Sequence, residues 1–194
     1  VLTLLRLIAG VNTLVLRIGR QMAWVALALM VVVILTQVVF RYVLNNALAW
    51  PDEAARFLML WMAGLVAPSA MRWNGFVAID MLPTALPRKL GLGLTLTLLV
   101  LSLIVLVIAI GHGYSHAFGF GGKFDSSSLK LPLEWLGLES VKVKLRYMYM
   151  SLFACIVLLI SVTIEMILRT LVSLIDPDAE LPSDDALPFS MEAE

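Results

Sequence analysis

Residues 90–110 read LGLGLTLTLLVLSLIVLVIAI, 21 positions without a charge. Wound as a helix at 1.5 Å per residue, such a stretch covers about 30 Å, the thickness of a bilayer's hydrocarbon core. Met22 to Phe40 is equally free of charge, and Tyr147 to Ile164 runs uncharged up to Glu165. The whole chain agrees: of its 194 residues 61% are hydrophobic and 14% charged, and the mean hydropathy is +0.96. A globular domain carries about 25% charged residues, and a chain this short has too little interior to hide so much apolar side chain from water. The solvent is lipid, and the fold class is an all-α integral membrane protein.

A fourth span has to be argued for. Only 15 uncharged residues separate Arg56 from Arg72, a reach of about 22 Å. To cross, the helix must take Arg56, Asp52 and Glu53 into its first turns. Pro51 suits a first helical turn, where its missing N–H costs nothing, and the two acids complement the positive end of the helix dipole. Arg56 follows Asp52 by four positions and Glu53 by three, so the three can share one face. The spans are therefore placed at about 22–40, 52–73, 90–112 and 147–170, within a membrane domain over 21–171.

The first 20 residues exceed what span one needs. Thr3, Arg6, Gly10, Thr13, Arg17 and Arg20 recur at spacings of three and four, a polar stripe along an apolar helix. This reads as an amphipathic helix lying in the headgroup region, the alternative being a frayed extension of span one. Between spans three and four, Gly119, Gly121 and Gly122 followed by Ser126 to Ser128 open a loop. Leu129 to Leu145 then mixes leucine and tryptophan with charges, which allows a second short interfacial helix. The segment 172–194 is acidic from Asp176 onward and is expected to be disordered. It holds Asp176, Asp178, Glu180, Asp184, Asp185, Glu192 and Glu194 and no base. No basic run with interleaved aromatics is present, which argues against nucleic acid as a partner. Arg41 and further spans follow the first apolar stretch, so it reads as a span rather than a cleavable leader.

Four spans put both termini on one side. Arg6, Arg17, Arg20, Arg72, Arg88, Lys89 and Arg169 lie on that side. Arg41, Arg56, Lys123, Lys130, Lys142, Lys144 and Arg146 lie on the other. The tally is even, but the first helix has three arginines before it and one just after, which favours cytoplasmic termini.

Candidate chemistry is sparse. His112 and His116 share a helical face, but a metal site needs a third ligand and the chain has no other histidine. They read as ligands or, more simply, as polar residues at the interface. Cys155 is a single cysteine inside a span, suited to packing. Glu165 and Arg169 form an i,i+4 pair in the favourable order. Intramembrane charge points to function by default, whereas a pair near the boundary can be purely structural. Gln37 is suited to bonding a neighbouring helix. With no nucleophile–base set, no phosphate-cradling loop and no mid-membrane carboxylate pair, neither an enzyme nor a cofactor is expected, and the chain alone is not equipped to transport.

The stretch Phe40-Arg41-Tyr42-Val43-Leu44-Asn45-Asn46 leads to Trp50-Pro51-Asp52-Glu53-Ala54-Ala55-Arg56-Phe57, then Trp61, Gly64, Arg72, Gly75 and Asp80. This pattern resembles the small membrane (DctQ-type) subunit of the tripartite ATP-independent periplasmic (TRAP) transporters, over about Arg17 to Leu171. Phe76 stands where that family often has histidine, and Leu152 to Ile156 replaces a proline–glycine element. The resemblance implies a scaffold for a large permease (M) subunit that moves like an elevator. That complex would take up small organic acids with sodium across the bacterial inner membrane, the substrate being delivered by a periplasmic binding protein. Membrane phospholipids are the remaining partners. It marks Arg41, Trp50, Asp52, Glu53, Arg56, Trp61, Arg72 and Asp80, beside Glu165 and Arg169, as candidates for structural or partner-interface positions. Asp52, Glu53 and Arg56 either close and cap span two or touch the partner. Replacing Arg56 with alanine is expected to strand Asp52 and Glu53 near lipid and to weaken assembly. The rival classes are a stand-alone four-helix redox or metal protein, whose handles would be His112 and His116, and a membrane anchor for a soluble partner bound through the acidic tail.

Overall fold

The computed structural model describes residues 2–73, 87–119, 121–131 and 141–175. Four long helices dominate it: α1 (Leu2–Tyr42), α2 (Trp50–Arg72), α3 (Arg88–Phe118) and α4 (Arg146–Ile175). Each is long and apolar enough to cross a membrane. A short antiparallel ladder, β1 (Asp125–Leu131) with β2 (Val141–Lys144), bridges α3 and α4.

α1 is 41 residues long, about 60 Å. The helical character expected of residues 1–20 is present from Leu2, but the segment is not a separate element. No glycine or proline interrupts Arg20-Gln21-Met22-Ala23, and the helix passes straight through. Its buried positions are Leu5, Ala9, Asn12, Leu16, Gly19, Ala23 and Ala26, spaced alternately by four and three. That seam faces the rest of the bundle, and its small residues let backbones approach. Beyond Ala26 the helix turns outward-facing, with Leu29, Val32, Leu35 and Val39 exposed.

α2 starts as the sequence requires, with Pro51 in its first turn beside Asp52 and Glu53, and it continues through Pro68 to Arg72. α1 packs on α2, α2 on α4 and α4 on α3, and α1 also touches α4. The α2–α4 contact is close at Gly64, where a Cβ would lie 2.9 Å from the Ser151 carbonyl oxygen. On the same seam the Trp61 indole N–H donates to the Tyr147 carbonyl at 3.1 Å.

The connection between α3 and α4 departs from the sequence reading. The described parts of Leu129 to Leu145 are strands rather than an interfacial helix, paired Lys130 to Lys142 and Leu131 to Val141. Val141-Lys142-Val143-Lys144 alternates with the period of a strand, and that local pattern prevails. Residues 132–140, the loop 74–86 with Asp80, and the acidic tail from residue 176 lie outside the described residues.

Candidate functional site: two carboxylates at opposite ends of the bundle

Glu165 is 0% exposed and sits where α1, α2 and α4 meet. Its Oε1 accepts from Arg72 Nε at 3.2 Å and Nη2 at 2.9 Å, and from Arg169 Nε at 3.0 Å and Nη2 at 2.7 Å. Its Oε2 accepts from the Asn12 amide at 2.8 Å. Around this carboxylate the donors are themselves held. Arg72 Nη1 donates to Thr13 Oγ1 at 2.8 Å, and the Ser161 hydroxyl donates to Asn12 Oδ1 at 2.6 Å. Three helices thus share one polar node, and each contributes a group that the others satisfy.

The local sequence explains the geometry. Ser161, Glu165 and Arg169 stand at i, i+4 and i+8 on α4, so they stack along one face. Asn12 falls in the buried seam of α1, where a polar side chain can act as interhelical glue. Arg72 ends α2 and reaches the same point, with a side chain only 3% exposed. The expected Glu165–Arg169 pair is there, but the groups are not snorkelling to water: Arg169 is 14% exposed and its partner fully buried. A carboxylate that already takes five N–H donors, four of them from guanidiniums, is a poor ligand for a metal ion. Cations at about 3 Å repel another cation. The arrangement is a staple.

Glu53 occupies the other end. Its Oε2 accepts from the Ser128 N–H at 2.7 Å, the Ser128 hydroxyl at 2.6 Å and the Leu129 N–H at 3.0 Å. Its Oε1 accepts from the Ser127 N–H at 3.3 Å. The β1–β2 register slips between Asp125 and Lys130. That irregularity lets successive N–H groups turn away from the ladder and converge on the carboxylate, an anion-binding nest. The hairpin base is thereby tied to the first turn of α2.

Asp52 takes a third direction and accepts from the Gln37 amide of α1 at 2.9 Å. Arg56 is exposed, and among the described residues the ion pairs are Arg72–Glu165 and Arg169–Glu165. The expected Asp52–Glu53–Arg56 set is therefore not a unit. Successive helical positions point about 100° apart, and a neighbouring helix and the strand β1 claim the two acids first. Arg41 is exposed and lies 5.8 Å from the Tyr42 ring; Trp50 is 39% exposed. His112 and His116 are both exposed, with the His116 ring 6.1 Å from that of Tyr149. Among the described residues no three of histidine, cysteine, aspartate and glutamate cluster as metal ligands would.

Sequence reasoning missed Asn12, Thr13 and Ser161 at the node and Ser127 to Leu129 at the nest. The i−4 relation of Ser161 to Glu165 and the lone asparagine on an apolar helix were the available signals.

Comparison with known proteins adds an independent line. Residues 30–173 match the family model described as "Tripartite ATP-independent periplasmic transporters, DctQ component". A Haemophilus influenzae protein that bears the name of a TRAP transporter small permease is 36% identical over 61 residues. That match spans 31% of this chain and 38% of the relative.

Proposed function

The chain belongs to the DctQ component family of the tripartite ATP-independent periplasmic transporters, and on that premise we propose that it is the static scaffold of a TRAP transporter. In this reading it is a multi-pass subunit of the bacterial inner membrane, with both termini in the cytoplasm. It pairs with a large permease subunit that carries the substrate and sodium sites and moves like an elevator. A periplasmic binding protein docks transiently and delivers a small organic acid. The chain performs no chemistry of its own.

The observation that carries the reading is the Glu165 node. It ties α1, α2 and α4 through groups that satisfy one another inside the bundle, which suits a body that stays fixed while a partner moves. Long apolar faces on α1 and α3 remain available to lipid or to that partner, including Val32, Leu35, Leu101 and Ile108.

The test is co-purification of the tagged chain in mild detergent after expression with its neighbouring genes, with partners identified by mass spectrometry. A near-equal amount of a much larger multi-span protein is the expected result. Recovery of the chain alone, carrying metal or haem, would overturn the scaffold reading.

A further inference from the structure

The β1–β2 hairpin carries an arrangement that its own stability does not explain. Its backbone register sets Asp125 opposite Lys144 but Lys130 opposite Lys142, and a rung of like charges in an antiparallel pair is destabilising. Lys144 follows two positions along β2, on the same face of the strand as Lys142, and both are exposed. Lys123 and Arg146, just outside the strands, are exposed as well. The connection over 119–146 holds Lys123, Lys130, Lys142, Lys144 and Arg146 against Asp125, Glu134 and Glu139. Of the nearby acids on α2, Glu53 is occupied by the nest and Asp52 by Gln37. Among the described residues of this connection Asp125 is the one acid set against these bases, and a local rule broken in this way marks a place where something outside the chain can supply the compensation.

The depth of this cluster identifies the occupant. Arg146 is the first residue of α4, and its guanidinium lies 4.4 Å from the Phe118 ring at the end of α3. Tyr114 and Tyr147, both at least half exposed, sit at the same end. Aromatic side chains of this kind mark the level of the lipid headgroups. The Glu53 nest holds residues 127–129 level with the first turn of α2, so the hairpin base lies at the membrane surface. Lysines at that depth meet phosphate, and each basic residue near an anionic leaflet contributes favourably.

We propose that the hairpin is a headgroup-binding platform, with Lys142, Lys144 and Arg146 holding an anionic phospholipid and Glu53 positioning the hairpin that presents them. The proposal stands independently of whether the chain assembles with a permease.

The test measures affinity of the purified full chain for phosphatidylglycerol and for phosphatidylethanolamine in detergent micelles, by native mass spectrometry. Wild type is compared with K142Q/K144Q, K142E/K144E and E53Q, each checked for an unchanged helical circular dichroism spectrum. The expected result is phosphatidylglycerol binding at least fivefold weaker in both lysine pairs, with phosphatidylethanolamine unaffected. Glu53→Gln separates a built platform from diffuse charge. It removes a negative charge, so simple electrostatics would strengthen phosphatidylglycerol binding, whereas loss of the nest weakens it at least twofold. Unchanged phosphatidylglycerol affinity in the lysine pairs, or stronger binding by Glu53→Gln, would overturn the proposal. So would lysine variants that keep their lipid but lose a soluble acidic protein co-purifying with wild type.

Discussion

Two glutamates hold this molecule together, and they do so by different physics. Glu165 is closed inside the bundle and neutralises guanidiniums from two helices. Glu53 lies at the bundle's edge and accepts from hydroxyls and backbone N–H groups of β1. Removing the first carboxylate takes an anion away from two buried guanidiniums. Removing the second leaves neutral donors that water can reach. The comparison teaches that the cost of losing a carboxylate is set by what it leaves behind, not by how many hydrogen bonds it makes.

The largest predicted effect follows directly. Glu165→Gln keeps the shape and removes the charge, so Arg72 and Arg169 lose the anion between them. Breaking a buried pair in this way costs about 3–5 kcal/mol. The thermal midpoint of the purified chain in detergent, read by tryptophan fluorescence, should fall accordingly, or the yield of folded protein should collapse. A midpoint within a degree of wild type would show that the node is not a staple.

Gly64→Ala comes next. Its added Cβ meets a backbone carbonyl of α4 at 2.9 Å, and backbone cannot swing aside as a flexible side chain would. The expected cost is about 1–3 kcal/mol, read in the same unfolding assay. Gly10→Ala, where nothing lies within 4 Å of the added Cβ, is the control that should not lower stability and can gain up to about 1 kcal/mol from helix propensity alone.

Glu53→Gln should be gentler, on the order of 1–2 kcal/mol, and its effect should be local. Amide hydrogen exchange at Ser127, Ser128 and Leu129 should quicken about tenfold or more, while the node around Glu165 keeps its protection. Equal loosening at both ends would erase the distinction between them. The smallest effect is assigned to Arg56→Ala. With Asp52 and Glu53 held by other partners, the stability of the chain should change by no more than about 0.5 kcal/mol; a larger loss would restore the acid–arginine unit that the sequence suggested.

Much of this architecture is legible in the sequence because bilayer thickness imposes a length on every span. Residues 90–110 needed no further argument, and Pro51 marked the start of α2 through its missing N–H. The Glu165–Arg169 spacing likewise announced a pair on one helix. What spacing along a helix does not contain is which other helix lies against it. Arg72 joins Glu165 across 93 positions, and no local pattern encodes that meeting. Leu129 to Leu145 was ambiguous for another reason: leucines mixed with charges satisfy a helical or a strand period over so short a run. The stripe of Thr3, Arg6, Gly10, Thr13, Arg17 and Arg20 fits an interfacial helix or an extension of span one, and neither reading names a partner helix. Thr13 turns out to accept from Arg72 within the bundle, so part of that polar face serves neighbouring helices as well as the membrane surface.

The central claim is that the bundle stays rigid while a partner moves, and one distance tests it most directly. Spin labels at Leu4 on α1 and Leu174 on α4, both exposed, would be introduced with Cys155 replaced by alanine. Their separation would be measured by pulsed electron resonance in the assembled transporter, with and without sodium and substrate. The account predicts one narrow distance distribution, unchanged across conditions, because the node clamps α1 to α4. A second population appearing with substrate would mean that this subunit moves during transport, and the scaffold account would be wrong.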